Sequence, residues 1–347
     1  MKTQISVAGN LLLAGEYLVL EEGGPGLALA LEPRITLEAQ AAAEWSLEAR
    51  MGPQRQLWTP GERGLPLADA IFDTAAEYLA AAGRSFPHPA KIIIDTSPFF
   101  DQDGRKSGYG SSAAAAVALS LYLLRSARPN QSGEEAVAVA PAAAASAVTE
   151  GSASTSLSAA MPAELAVALH GHRRMQGGRG SGYDIFTSYY GGFGLFSGGV
   201  EPAWQKLAAQ QLPDLFLYQG LSPVSSAAAV AAFTAARYGS EQSLVEACLQ
   251  SSRAAVLDYA CGRSALAECL YAARAAGLKL GRLIAVDARM SPDFDQPELF
   301  SKALGAGNEL GCLVSVRGDR PWEAALAGMN LLPVRLSGPP LCTGASV

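Results

Sequence analysis

Short apolar runs separated by turn residues make up the opening part of the chain. Arg34–Ala39 alternates apolar and polar residues as a half-buried strand does, and Lys91–Asp95 is a compact, isoleucine-rich strand. Leu67–Ala82 carries its apolar residues at helical spacing, and Ala113–Arg125 is apolar on most sides, which predicts a buried helix. Further strands are predicted at Ile5–Val7, Leu11–Ala14, Leu18–Leu20 and Leu27–Leu31.

The pattern changes after the buried helix. Residues 127–162 are biased toward alanine, serine and proline, which predicts loosely packed helix and a mobile loop. Ala163–Met175 returns to helical spacing, and Ile185–Phe196 is typical of strands. The remaining elements are predicted helices at Ala227–Tyr238, Glu241–Cys261, Ser264–Ala276 and Trp322–Met329, and predicted strands at Leu215–Tyr218, Cys312–Val316 and Leu332–Leu336.

The order of these elements indicates the fold class. Short strands come first and helices dominate later, which favours a two-domain α+β architecture over a regular doubly wound sheet. Gly198, Gly199 and Pro202 interrupt the pattern between the two parts. We therefore predict one domain over residues 1–200 and a second over residues 201–347.

Composition excludes several classes of function. The 26 Lys and Arg residues against 32 Asp and Glu give a net charge of −6, and no basic face is evident that would bind nucleic acid. The longest apolar stretch, Ala113–Leu124, is too short to span a membrane. The five cysteines show no C-x-x-C spacing, and no signal peptide is evident at the N-terminus. We expect a cytoplasmic protein with free thiols and no membrane partner.

The most informative stretch is the glycine-rich turn before the buried helix, where residues 104–113 read Gly-Arg-Lys-Ser-Gly-Tyr-Gly-Ser-Ser-Ala. Gly108 and Gly110 let the backbone approach a ligand closely because neither has a Cβ, and Ser111 and Ser112 are candidate helix caps. A helix N-terminus of this kind favours an anion, most often phosphate. The predicted phosphate contacts are Gly108, Tyr109, Gly110, Ser111, Ser112 and Ala113, with Arg105 and Lys106 as cations at the mouth.

Two other interpretations of this turn are weighed, a dinucleotide-binding fingerprint and a helix cap without a ligand. Gly108–Ala113 also satisfies G-x-G-x-x-A, but the dinucleotide fingerprint needs an acidic residue about 20 positions later, where this chain has Arg128-Pro129-Asn130. A Walker A loop is absent. The turn could also be a helix cap that binds no ligand. The dinucleotide fingerprint is therefore a weaker match than a phosphate site at a helix N-terminus.

Three motifs in family order resemble the GHMP small-molecule kinases. Residues 8–20 resemble the first motif of that superfamily, residues 104–116 the phosphate-binding second motif, and residues 304–309 the glycine-rich third. Within it, residues 180–184 (Gly-Ser-Gly-Tyr-Asp) and 190–192 (Tyr-Gly-Gly) look like the phosphomevalonate kinase subgroup. The resemblance implies an N-terminal ribosomal-S5-like domain, a C-terminal ferredoxin-like domain, and a cleft between them that binds ATP and Mg²⁺.

The resemblance also implies roles for individual residues. Asp184 matches the active-site aspartate, which would accept a proton from an alcohol or orient an acceptor that is already ionised. Lys106 is expected to supply positive charge to the reacting phosphates, and the Ser112 hydroxyl is expected near Mg²⁺. The implied substrate contacts are Asn10, Glu16, Tyr17, Arg179, Ser181, Ser225, Ser226, Gly305, Ala306 and Gly307.

The implied reaction is transfer of the γ-phosphoryl group of ATP to 5-phosphomevalonate, a small anionic substrate, in isoprenoid biosynthesis. Mevalonate or a sugar is the alternative acceptor, and a homodimer is left open. Two motifs depart from the family pattern: Asn10 stands where a lysine is usual, and Asn308 and Glu309 stand where more glycines are expected. Asn10 donates hydrogen bonds but cannot neutralise charge. Because of these departures, the alternative function that stays open is that of a homologue that binds a nucleotide or metabolite without turnover.

Overall fold

The computed structural model describes residues 2–62, 64–101, 104–129, 161–178, 180–208, 212–220, 225–320 and 322–343. The helices are α1 (Pro66–Ala81), α2 (Ser111–Arg125), α3 (Ala163–Met175), α4 (Tyr183–Tyr190), α5 (Ser226–Arg237), α6 (Gln242–Ala260) and α7 (Leu266–Leu283). The strands are β1 (Lys2–Ala14), β2 (Pro25–Ala41), β3 (Ser46–Met51), β4 (Gln54–Trp58), β5 (Arg84–Ser85), β6 (Ala90–Asp95), β7 (Arg128–Pro129), β8 (Phe193–Ser197), β9 (Ala203–Lys206), β10 (Asp214–Gln219), β11 (Asp295–Gln296), β12 (Leu299–Leu304), β13 (Leu310–Ser315), β14 (Leu332–Pro333) and β15 (Leu341–Thr343).

A mixed sheet of eight strands organises the N-terminal part. Its strand order is β15-β1-β2-β6-β3-β4, with β8 pairing to β2 and β9 to β8. The long strand β2 pairs with β8 over Pro25–Leu29 and with β6 over Thr36–Ala41, so it joins the two halves of the sheet. Helices α1 to α4 pack on one another, and α2 and α4 also pack against β1 and β2. The alanine run at the start of α2 is fully buried, because small side chains permit this close helix–sheet contact.

The C-terminal part contains a second sheet of five antiparallel strands in the order β11-β12-β13-β10-β14. Helix α7 packs against both β12 of this sheet and β1 of the first sheet. One hydrophobic core continues from the first sheet into α6, α7, β12 and β13. The α+β class is therefore confirmed, whereas the domain boundary at residue 200 stays a prediction. No helix within the described ranges combines the length and the apolar character that crossing a membrane requires.

Most predicted elements are confirmed, and three are wrong. Leu18–Leu20 forms a 3-10 helix whose leucine and valine side chains are buried by packing rather than by sheet pairing. The segment Ile185–Phe196 is divided between helix α4 and strand β8, because short apolar runs do not distinguish helix from strand. Residues 322–329 form successive turns instead of a helix, anchored by the buried Trp322 ring against Phe216. The prediction for residues 127–162 falls largely outside the described residues.

Candidate active site

The glycine-rich turn leads directly into the N-terminus of α2. Gly108 and Gly110 both adopt positive φ, at 78° and 70°, which glycine tolerates best. Gly110 itself is the N-cap, and no side chain caps the helix there, so the capping role predicted for Ser111 and Ser112 is wrong. Ala114 donates the first intrahelical bond, to the Gly110 carbonyl oxygen. The preceding N–H groups of α2 therefore make no intrahelical bond, and N–H groups of this kind are available to an anion.

Asn10 of β1 holds this turn in place through hydrogen bonds. Its side chain is only 2% exposed, and its Nδ2 donates to the Gly110 carbonyl oxygen at 3.2 Å and to Ser188 Oγ at 3.0 Å. Its backbone N–H donates to the carbonyl of Tyr109. The structure thus gives Asn10 a role in holding the turn, and its predicted contact with substrate stays a prediction.

Asp184 lies in the first turn of α4, close to the N-terminus of α2. Its Oδ1 accepts a hydrogen bond from the Ile185 N–H at 2.9 Å, and its Oδ2 lies 3.7 Å from His172 Nδ1. His172 comes from α3, and its Nε2 lies 3.2 Å from Ser112 Oγ. The His172 ring therefore connects the serine of the phosphate-binding turn to the candidate active-site aspartate.

The turn before α4 is held by the neighbouring residue on α3. The Arg173 guanidinium donates to the carbonyl oxygens of Gly180 and Ser181 at 2.9 and 2.8 Å. Burial lowers the pKa of Arg173, and the nearby Asp184 carboxylate opposes that shift. Gly182 adopts a φ of 90°, and a Cβ there would collide with Leu169 of α3. These contacts fix the position of Asp184 relative to α3.

Two adjoining cavities lie beside these residues. The larger, of about 480 Å³, is lined by carboxylates and hydroxyls as well as apolar groups, among them Glu16, Tyr17, Ser181, Asp184 and Ser226. The smaller, of about 160 Å³, reaches Gly108 of the phosphate-binding turn and Glu309. The residues common to both are Leu12, Tyr183, Ser226, Gly305 and Ala306. All three sequence motifs therefore border one continuous region.

The third motif is joined to the first by two contacts. The Tyr17 hydroxyl donates to the Ala306 carbonyl oxygen at 2.7 Å. The Lys302 ammonium, 3% exposed, forms an ion pair with the Glu16 carboxylate. Burial raises the pKa of Tyr17 above its usual range, and the Glu16 carboxylate adds to this shift. The Tyr17 phenol is therefore a hydrogen-bond donor throughout the neutral pH range.

The remaining predicted residues lie in different environments. Ser225 and Ser226 are both exposed, but only Ser226 lines both cavities. Ser225 caps α5 by accepting a hydrogen bond from the Ala228 N–H at 3.3 Å. Gly307 borders the smaller cavity. Lys106 is exposed on the turn, and Arg179 lies outside the described residues. The binding roles of these residues stay predictions.

Three residues around the site were not among the predicted site residues. Tyr183 lines both cavities, and burial raises the pKa of its phenol, with the Asp184 and Glu16 carboxylates adding to the shift. His172 looks like a helix-end histidine in the sequence, and Lys302 looks like a surface cation. The helical spacing of His172 from Leu165 and Leu169 is the sequence signal that places it on a buried face.

The side chains offer few metal ligands. Among the described residues, no three His, Cys, Asp or Glu side chains come close enough together to hold a metal ion. The Ser112 hydroxyl and the Asp184 carboxylate are nevertheless hard oxygen ligands on either side of His172. Mg²⁺ commonly takes one or two protein oxygens and completes its shell with phosphates and water. The Ser112 hydroxyl at the N-terminus of α2 therefore fits a Mg²⁺ ion that arrives with a nucleotide, whereas the Asp184 carboxylate lies across the His172 ring from it.

Comparison with curated sequences gives one partial match. No protein-family model matches the chain. A stretch of 131 residues is 28% identical to the phosphomevalonate kinase of Streptomyces sp. (strain CL190) and covers 32% of this chain. The chain spans 34% of the length of that relative, so the match concerns only part of that protein.

Comparison with solved structures covers nearly the whole chain. The Lin0012 protein from Listeria innocua aligns with a TM-score of 0.74 at 21% identity, over 99% of this chain and 100% of that one. Streptococcus pneumoniae phosphomevalonate kinase, solved with phosphomevalonate and AMPPNP, aligns with a TM-score of 0.68 at 16% identity, over 96% of this chain and 99% of that one. Methanococcus jannaschii mevalonate kinase aligns with a TM-score of 0.61 at 13% identity, over 96% of this chain and 98% of that one. These kinases belong to the GHMP group, and the chain has the GHMP kinase fold.

Proposed function

We propose that this protein is an ATP-dependent GHMP-type kinase that phosphorylates a small acceptor, with 5-phosphomevalonate as the first candidate. The observation that carries the proposal is the convergence of the three motifs on two adjoining cavities. Gly108 borders one cavity, Asp184 borders the other, and Gly305 and Ala306 border both. Phosphoryl transfer depends mainly on positioning and charge neutralisation, which such an arrangement supplies.

The nucleotide phosphates would lie at the N-terminus of α2. The turn at Gly108–Gly110 presents backbone N–H groups there, and the helix dipole favours negative charge. The Ser112 hydroxyl would hold Mg²⁺, which neutralises charge on the transferring phosphates when bound. Arg105 and Lys106, both exposed on the same turn, supply positive charge on this side. These features support ATP as the phosphoryl donor.

The acceptor would occupy the larger cavity, where Asp184 and Ser181 provide polar groups. A phosphate monoester has a pKa of about 6 and is largely ionised at neutral pH, so Asp184 would orient it rather than remove a proton. An alcohol acceptor would instead need Asp184 as the base. The described lining of this cavity contains no lysine or arginine. Arg179, which follows Gly177 and Gly178 and precedes Gly180 in the sequence, is the cation we assign to a phosphorylated acceptor.

The comparisons favour phosphomevalonate but include other acceptors. Phosphomevalonate kinases occur among both the sequence and the structure matches, and one was solved with phosphomevalonate and AMPPNP. Mevalonate kinase and galactokinase share the fold as well. Mevalonate or a sugar is therefore the alternative acceptor for the same catalytic arrangement.

A second candidate function is nucleotide binding without turnover. Two observations favour it: Asn10 is buried beneath the phosphate-binding turn and carries no charge, and Glu309 places a carboxylate beside the cavity that reaches Gly108. An anion at that place opposes phosphate binding unless a cation intervenes. This candidate predicts ATP binding in the absence of ADP release.

The deciding experiment is a coupled ADP-release assay with Mg-ATP against 5-phosphomevalonate, mevalonate and several sugars, with nucleotide binding followed by calorimetry. Turnover with 5-phosphomevalonate alone supports the proposed assignment. Turnover with a different acceptor retains the kinase and replaces the substrate. Binding of ATP without turnover on any acceptor supports the second candidate.

Two variants test the assigned residues. Asp184→Asn is expected to reduce kcat by about 100-fold or more, since the carboxylate contacts the reacting groups. Asp214→Asn, at an exposed position at the start of β10, is the matched control and should retain wild-type turnover. Lys106→Met should reduce kcat without lowering stability. Lys91→Met, at an exposed position of β6, is its matched control and should leave kcat unchanged. Retention of turnover within a few-fold in Asp184→Asn contradicts its assignment.

A further inference from the structure

We propose that His172 is a positioning residue that orients both the Ser112 hydroxyl and the Asp184 carboxylate for phosphoryl transfer. The proposal rests on the function proposed above and assigns a residue that the family resemblance does not supply. His172 is 1% exposed, so its ring has no access to solvent and its nitrogens must find partners within the protein. The two polar groups facing those nitrogens both belong to the candidate active site.

The contacts join three helices at one point. His172 lies on α3, Ser112 in the first turn of α2, and Asp184 in the first turn of α4. The ring places Nε2 at 3.2 Å from Ser112 Oγ and Nδ1 at 3.7 Å from Asp184 Oδ2. Each nitrogen therefore faces a different functional group, and movement of the ring would displace both.

The chemistry of the partners favours one arrangement of the ring protons. A carboxylate accepts hydrogen bonds and attracts an N–H group, so a proton on Nδ1 is favoured on the side of Asp184, where the 3.7 Å separation makes the contact electrostatic rather than a direct hydrogen bond. With Nδ1 as the only protonated nitrogen, Nε2 accepts a hydrogen bond from the Ser112 hydroxyl at 3.2 Å. Because the serine proton points toward His172, the lone pairs of Ser112 Oγ are left for a cation or for a donor in the phosphate site. His172 thus sets the direction of the serine hydroxyl as well as its place.

The same ring completes the restraint on Asp184. The Ile185 N–H donates to Oδ1, and the His172 ring faces Oδ2, so both carboxylate oxygens have fixed neighbours. The next residue on α3, Arg173, holds the carbonyls of the turn that leads into α4. Consecutive residues of one helix therefore fix the aspartate and the turn that carries it. Misplacement of a reacting group by about 1 Å can cost about 100-fold in rate.

The first test compares three substitutions at His172. His172→Leu is expected to lower kcat by about 100-fold while the KM for ATP stays within about threefold. His172→Gln retains an amide group near the position of Nε2, and His172→Asn retains one near Nδ1, so each should recover part of the lost rate. His170→Gln, at an exposed position two residues earlier on α3, is the matched control and should behave as wild type.

The second test does not depend on catalysis. The chain has three histidines, so the imidazole nitrogen signals in a ¹⁵N-labelled sample can be assigned by substituting each in turn. We expect a His172 ring that carries a proton on Nδ1, with an Nδ1–H signal that shifts in Asp184→Asn and an Nε2 signal that shifts in Ser112→Ala. His170 and His88 signals should be unchanged in both variants.

The outcomes separate this proposal from the proposed function. A folded His172→Leu variant with kcat within threefold of wild type overturns the positioning role, as does a ring protonated at Nε2 alone. Wild-type protein without turnover on any acceptor refutes the proposed function instead. In that case the nitrogen signals decide: the expected shifts support the orienting contacts, and signals insensitive to both Ser112→Ala and Asp184→Asn overturn them.

Discussion

A methyl group added at Gly110 should weaken the whole phosphate-binding turn. Gly110 has a φ of 70°, and left-handed backbone costs a residue with a Cβ about 1–2 kcal/mol. The added Cβ would also lie 2.5 Å from Cγ of Asn10 and overlap its amide. Asn10 would have to move and would lose its bonds to the Gly110 carbonyl and to Ser188, at about 1 kcal/mol each. We expect Gly110→Ala to lower the free energy of unfolding by about 3–4 kcal/mol, the sum of these contributions.

Urea unfolding can separate the strain from the collision. Gly262 also has a φ of 70°, but no atom lies within 4 Å of a Cβ built there. Gly262→Ala should therefore cost only the backbone strain, about 1–2 kcal/mol. In an Asn10→Ala background the amide is absent, and Gly110→Ala should then cost no more than Gly262→Ala. Equal losses for Gly110→Ala and Gly262→Ala in the wild-type background would refute the proposed support of the turn by Asn10.

Two further predictions concern buried groups between the sheets. Lys302→Met leaves the partly buried Glu16 carboxylate without its ion-pair partner and should lower the unfolding free energy by about 1–3 kcal/mol. Glu16→Leu should restore most of this loss in the double variant, and an additive double variant contradicts the pairing. Burial raises the pKa values of the Cys269 and Cys312 thiols from 9.0 to about 12, so at pH 8 iodoacetamide should alkylate exposed Cys261 and spare both until urea unfolds the chain. Alkylation of the folded protein at Cys269 would contradict the burial of that thiol. Because the thiols ionise at lower pH in the unfolded chain, the stability contributed by their burial is complete below pH 9.0 and declines as the pH rises toward 12.

Local sequence pattern was sufficient for most of the secondary structure. The helix predicted at Ala163–Met175 has those bounds in the structure, and the buried helix predicted at Ala113–Arg125 begins two residues earlier, at Ser111. Periodicity predicts such long elements because their burial repeats along the chain. It failed at Leu18–Leu20 and at Ile185–Phe196, where short apolar runs are buried by contacts with distant parts of the chain.

The candidate site shows a similar division. Gly108 and Gly110 were identifiable because a glycine-rich turn with positive φ before a helix leaves a local signature, whereas Asp184 was assigned through the family resemblance. The positions of Asn10 and His172 were not identifiable. Asn10 is separated by 100 residues from the carbonyl that it supports, and His172 by 60 from Ser112. Contacts over such sequence distances leave no periodic trace in a single chain.

The sequence by itself determined the α+β class, the three motifs and the glycine-rich helix N-terminus, since these depend on residue type and spacing within short windows. Only the tertiary structure decided that a histidine lies between Ser112 and Asp184, that Lys302 is buried against Glu16, and that Ser226 rather than Ser225 borders the cavities. The physical reason is that burial and pairing depend on which elements pack together. That packing is fixed by the summed contacts of the whole core, and no short segment contains that information.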